Sequence, residues 1–326
     1  MNTRTTLLAV AVLLTCAGGA RAMHVGSGLP VATNKSVAVS VQGSIGLLNG
    51  TAQENVYTAV GGRRYHLSEL DWDIRNVVMA GAQVSVVLKN TIWLNAGLWG
   101  AATKGNGQMN DWDWQLEQFG SPWTDWSLSD VDLTRAWLLD LNAAVELTRI
   151  GRLGVRGIAG YKYNTWKWQD YGIRHIYSSN PSLPGGLHND VADDPHNTAI
   201  TYEQNFHIPY IGAGLNYTTG RWVLDAYGLY SPYILANDRD QHLLRNLDFE
   251  ETFNNGGQYY GLGLRATWLF TEHCYLSAAF DGQFIPEMIG DTTVTETDTG
   301  ASHTSSNTAG VSSQSWMLSL GIGGRF

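Results

Sequence analysis

Two short stretches hold most of the residues able to do chemistry. Asp111-Trp112-Asp113-Trp114 sets two carboxylates at i and i+2, and Asp238, Asp240 and His242 repeat that spacing with an imidazole at the end. In an extended segment, residues two apart share one face. Carboxylates crowded on one face repel, so the grouping needs a proton, a cation or a functional reason. Spacing alone leaves three readings open: solvated or structural carboxylates, a Ca²⁺ or Zn²⁺ site, and acid–base catalysis. In the third, a neutral imidazole takes a proton from water near neutral pH. Asp240, on the same face, would fix the ring and stabilise the imidazolium. Asp111 and Asp113 would hold the same water and share a proton. That chemistry needs no Ser or Cys nucleophile, and Cys274 falls beside a short joint far from these stretches.

The elements that position these residues must be strands. From Trp316 to Phe326 apolar side chains alternate with small or polar ones, the pattern of a strand with one apolar face. Strand-like composition recurs over 37–48, 71–88, 92–102, 132–149, 153–171, 200–217, 222–235, 258–270, 275–289 and 314–326. The joints alternate in length. Short ones span 89–91, 149–152, 218–221 and 271–273; long polar ones span 49–70, 103–131, 172–199, 236–257 and 290–313. Short turns on one side and long loops on the other are the habit of outer-membrane barrels. The expectation is therefore an all-β fold, a narrow ten-stranded antiparallel transmembrane β-barrel with long extracellular loops and no wide pore. The Thr- and Ser-rich stretch 292–313 reads as a mobile loop. Pro209 reads as a bulge or a membrane edge.

Composition agrees with that class. Only 15% of the 326 residues are charged while Trp numbers 13 and Tyr 15, which excludes a disordered chain. Lys+Arg 20 against Asp+Glu 29 excludes a basic nucleic-acid binder. The aromatic surplus is expected in interfacial girdles. The start of the chain reads as a signal peptide over 1–22, with Arg4, an apolar run and the Ala20-Arg21-Ala22 cleavage site. The barrel domain then fills 23–326. Its remaining cysteine has no partner for an intramolecular disulfide. Acid gathers in the outer joints: 103–130, 172–198 and 236–255 hold 13 Asp and Glu against 4 Lys and Arg.

The chain resembles the omptins, outer-membrane proteases of Gram-negative bacteria built on ten-stranded barrels. The resemblance runs over most of the chain and rests on Leu70-Asp71-Trp72, Asp111 to Trp114, Trp123-Thr124-Asp125, His175 to Ser179, Pro209 to Gly212 and Asp238 to His242. It implies a catalytic set of Asp111, Asp113, Asp240 and His242, with no metal. It also places Glu54 and Asp238 in the pocket before the scissile bond and Asp125 in the pocket after it. The implied partners are polypeptides with basic residues and outer-membrane lipid or lipopolysaccharide; no nucleic acid is expected, and the barrel should act as a monomer. No cofactor is implied, although lipopolysaccharide is a candidate requirement for activity. Two departures stand out. Ser127 is followed by Leu128-Ser129-Asp130 where the family continues Ser-x-His-Pro, and Tyr161-Lys162-Tyr163-Asn164-Thr165 lacks the Glu and Arg of the lipopolysaccharide pattern. The expected activity is hydrolysis of peptide bonds next to basic residues. The competing expectations are a non-enzymatic barrel adhesin or invasin and, further off, a barrel lipid hydrolase or acyltransferase.

Overall fold

The computed structural model describes residues 37–116 and 122–326. The signal peptide expected over 1–22 lies outside the described residues. Twelve antiparallel strands make one sheet: β1 Val37–Val60, β2 Arg63–Leu88, β3 Ile92–Ala101, β4 Gly107–Asp113, β5 Asp125–Ile150 and β6 Leu153–Tyr177. β7 Asp190–Asp193, β8 Ile200–Thr219, β9 Trp222–His242, β10 Leu247–Leu269, β11 Cys274–Glu296 and β12 Ser302–Arg325 complete it. The sheet closes because β12 pairs with β1, Trp316 opposite Asn49.

Two of the twelve strands are upper segments of shared positions. β2 pairs with β3 over Met79 to Leu88 and with β4 over Ser68 to Trp72. β5 likewise pairs with both. β6 pairs with β8 along its lower part and with β7 at its top. Counting β3 with β4 and β7 with β8 leaves ten positions around the ring, the expected barrel.

The outward face shows where the membrane lies. Ile45, Leu47, Leu224, Leu264, Leu318 and Leu320 are exposed apolar side chains on alternating positions. Rings bound this band: Trp222 lies against Trp268 at the lower edge and Tyr230 against Tyr260, with Phe284 beyond, at the upper edge. From Trp222 to Tyr230 the strand covers about 26 Å, or about 20 Å after a ~40° tilt, close to the height of an outer-membrane apolar band. Part of the aromatic surplus forms these girdles, while Trp72, Trp93, Trp99, Trp166 and Trp168 are buried instead. Inside this band the barrel is filled with polar side chains. Ser85 donates to Asn95 at 2.5 Å and Asn95 donates to Asn142 at 2.7 Å. Arg156 lies 3.9 Å from the Trp93 ring and 3.6 Å from Asp225. The lumen is a packed polar core.

Below the band the joints are short. Gly151 and Gly220 take φ of 59° and 57° in two-residue hairpins, a left-handed geometry that glycine adopts without strain. Above the band the structure differs from the sequence expectation. The stretch 49–70 is no loop: β1 and β2 continue, with Gln53 opposite Asp71, to a turn at Gly61-Gly62. The stretch 290–313 is no mobile loop either, because Thr292 to Thr295 pair with Ser305 to Ser302. Above the membrane neither face of these strands meets lipid, so the apolar alternation that marks a strand within the band disappears. Pro209 does lie in a bulge, between the His207–Leu235 and Ile211–Tyr230 pairs.

Candidate active site

The long strand extensions carry the acidic residues above the membrane. Glu54 on β1 pairs with Val311 on β12, five residues beyond the outward-facing Trp316, or about 16 Å along the strand. Asp111 and Asp113 sit near the end of β4, and Asp238, Asp240 and His242 end β9. The period of two is realised on both strands. Asp238 and Asp240 are 4% and 2% exposed, while the Arg239 side chain between them is 48% exposed and pairs with Asp248 outside. Trp112, between the two aspartates of β4, packs against Trp123 and Trp126. A cluster of rings inside the barrel, Trp72, Trp168 and Tyr202, packs next to this acidic group, its centroids 5.2 to 6.0 Å apart.

His242 and Asp240 form a tight pair. Their Nε2 and Oδ2 atoms are 2.5 Å apart, and the imidazole also packs against Phe249 at 5.1 Å. Arg245, in the turn after β9, donates from Nε to Nδ1 of His242 at 2.9 Å. A guanidinium only donates, so Nδ1 holds a lone pair here and the Nε2 hydrogen points to Asp240. On the opposite wall, Ser68 of β2 donates to Asp111 Oδ1 at 3.1 Å.

Burial pushes the Asp111 carboxyl up to about 8, reinforced by the Asp113 charge beside it and opposed by the Ser68 hydroxyl. Asp113 is raised as well, first by burial, then by Asp125. The two walls feel each other: Asp240 and Arg245 act on Asp111, and His242 and Arg245 act on Asp113. Glu54, 2% exposed, is raised well above the usual carboxylate range by burial and by Asp240, Glu251, Asp238 and Asp111. Asp238 is pushed up to about 7, chiefly by burial.

Asp111, Asp113, Asp240, His242, Glu54 and Asp238 are thus gathered in one group above the membrane band. Asp125 lies beside Asp113 in the β4–β5 ladder, but both its oxygens are engaged, by Gln115 Nε2 at 2.7 Å and the Ser178 amide at 2.8 Å. Three neighbours went unread in the sequence. Ser68 is an ordinary strand serine and carries no signal. Arg245 and Glu251 become visible once the β9–β10 segment is folded about its turn, which sets Glu251 opposite Asp238 and leaves Arg245 beside His242. Among the described residues no three His, Cys, Asp or Glu side chains converge as a metal-ligand set. A half-buried imidazole paired with one carboxylate, facing two carboxyls that compete for a proton, is equipped to polarise a water molecule held between them.

The family model described as Omptin family matches residues 35–326. The plasminogen activator of Yersinia pestis is 30% identical over 289 residues, covering 88% of this chain and 89% of the relative. Outer membrane protease OmpP of Escherichia coli (strain K12) is 26% identical over 87% of this chain and 89% of its own length. The crystal structure of outer membrane protease OmpT from Escherichia coli superposes with a TM-score of 0.81 at 25% identity, covering 89% of this chain and 97% of that one.

Proposed function

The chain belongs to the omptin family, and on that premise we propose that it hydrolyses peptide bonds next to basic residues with a water activated between Asp240–His242 and Asp111–Asp113. It is a peptidase of the Gram-negative outer membrane, like the relatives that are named outer-membrane proteases. The cleft stands on the extracellular side. The observation that carries the mechanism is the 2.5 Å Asp240–His242 pair, set across from the buried carboxyls of Asp111 and Asp113.

In this reading Arg245 swings away from Nδ1 as substrate enters, and that nitrogen takes the proton from water as the oxygen attacks the carbonyl carbon. Asp240 keeps the ring oriented and balances the charge that develops on it. The aspartate couple retains one proton at neutral pH, because two close carboxyls in a desolvated place cannot both ionise. That proton is available to the carbonyl oxygen as it becomes an oxyanion; as the tetrahedral intermediate collapses and the C–N bond breaks, the His242 imidazolium returns its proton to the leaving amine. Glu54 and Asp238 receive the side chain before the bond. Asp125, with its oxygens already bonded, contributes negative field on the other side of it.

The experiment is incubation of refolded protein with quenched peptides bearing Arg-Arg, Ala-Ala or Glu-Glu, with lipopolysaccharide present and absent. Cleavage of the Arg-Arg peptide, unaffected by EDTA and by serine-protease reagents, is the expected result. No cleavage in either lipid condition, or inhibition by chelator that zinc reverses, contradicts it.

A further inference from the structure

Beside Glu54 and Asp238 stands a third buried carboxylate, Glu251 of β10, 1% exposed. It faces Asp238 across the β9–β10 ladder. Each carboxylate has one oxygen engaged: Tyr202 donates to Asp238 Oδ2 at 2.9 Å, and Thr292 donates to Glu251 Oε1 at 2.8 Å. The other oxygens, Asp238 Oδ1 and Glu251 Oε2, meet no donor from the chain, and neither does Glu54 Oε2. Burial raises both carboxyls, a cost that a bound cation would relieve. Buried acceptors without donors are costly, and three of them in one place call for a ligand rich in N–H groups.

We propose that Glu251 is a specificity residue which, with Glu54 and Asp238, makes the pocket before the scissile bond select arginine over lysine. This deepens the peptidase reading and rests on it. A guanidinium brings five donors in a planar fork and suits paired carboxylates; an ammonium brings three on a compact, strongly hydrated centre. In a pocket buried this deeply, stripping water from an ammonium costs more than stripping it from a guanidinium. Three donor-free carboxylate oxygens match the fork and exceed what an ammonium can satisfy in one plane. Entry of the guanidinium favours the ionised carboxylates and so releases a proton to solvent.

The test uses one peptide with Arg, Lys or the neutral isostere citrulline before the bond, cut by wild type, Glu251→Gln and Glu251→Asp. Wild type should favour Arg over Lys in kcat/KM by about tenfold or more. Glu251→Gln should bring that ratio close to one, mainly through KM for the Arg peptide, and Glu251→Asp should keep most of it. An unchanged ratio in a Glu251→Gln barrel that still migrates as folded overturns the proposal. Calorimetric binding of N-acetyl-arginine amide and N-acetyl-lysine amide to His242→Ala, with and without Glu251→Gln, reads the pocket without turnover. If that preference depends on Glu251 while wild type cuts no peptide, the pocket stands and the peptidase reading falls. If arginine binds no better than lysine, the proposal falls whatever the cleavage result.

Discussion

His242 has both ring nitrogens engaged, Nε2 by Asp240 and Nδ1 by Arg245, and only the second contact has to open for catalysis. Replacing Asp240 or His242 by Ala should lower kcat by at least ~10²–10⁴, the contribution of a positioned general base. Arg245 is a cation already seated between carboxylates that should welcome the substrate's own. Its replacement by Ala should lower KM for cationic peptides, readable in a kcat against KM comparison; an increase in KM would make Arg245 part of the substrate site instead. The Asp111 carboxyl, pushed up to about 8, and its raised neighbour Asp113 hold a proton below that pH and release it above. Activity should therefore fall on the alkaline side near pH 8, and Asp113→Asn should move that limb by removing one of the two competing carboxyls. A maximum well below pH 5 would point to a carboxyl pair acting alone. The two halves of this set were legible because an i, i+2 spacing survives in a strand. Glu251 was not, because its place depends on a hairpin pairing of residues 13 apart that no local pattern encodes.

The strands explain both what the sequence reveals and what it hides. Within the membrane band one face meets lipid, so the alternation of Trp316, Leu318, Leu320 and Ile322 is plain. Above it both faces are polar, and the same strands read as loops over 49–70 and 290–313. These extensions carry the site, so its walls are rigid sheet rather than flexible loop. They also carry buried carboxyls with raised pKa, which gives the upper barrel its own pH dependence. A carboxyl that binds its proton more tightly when folded contributes stability that is whole below its unfolded value and lost as pH rises through the folded one. With Asp238 raised to about 7 and Asp111 to about 8, that loss runs from about pH 4, the ordinary carboxyl value of the unfolded chain, to about pH 8. Amide exchange in the tops of β4, β9 and β10 should quicken over this range while the membrane band stays protected. Uniform exchange at both pH values would show that these carboxyls do not load the fold.

For the whole molecule, a closed ring leaves no free edge, and its interior is packed with bonded polar groups. Such a barrel resists SDS without heat because each of the ten ring positions pairs on both sides. Unboiled protein should migrate differently from boiled protein, and the variants above should retain that difference. The same shape gathers Glu54, Asp111, Asp113, Asp238, Asp240 and Glu251 at one end, and those of them that ionise set up a negative field there. That field attracts cationic peptides and repels acidic ones, and rising salt should weaken the preference where charges are exposed. The most direct test of the account is kcat/KM for an Arg-Arg quenched peptide, measured on wild type and on His242→Ala that migrates as folded. The account predicts robust cleavage by wild type and a loss of ~10²-fold or more in the variant. Cleavage by the variant at close to the wild-type rate would contradict it.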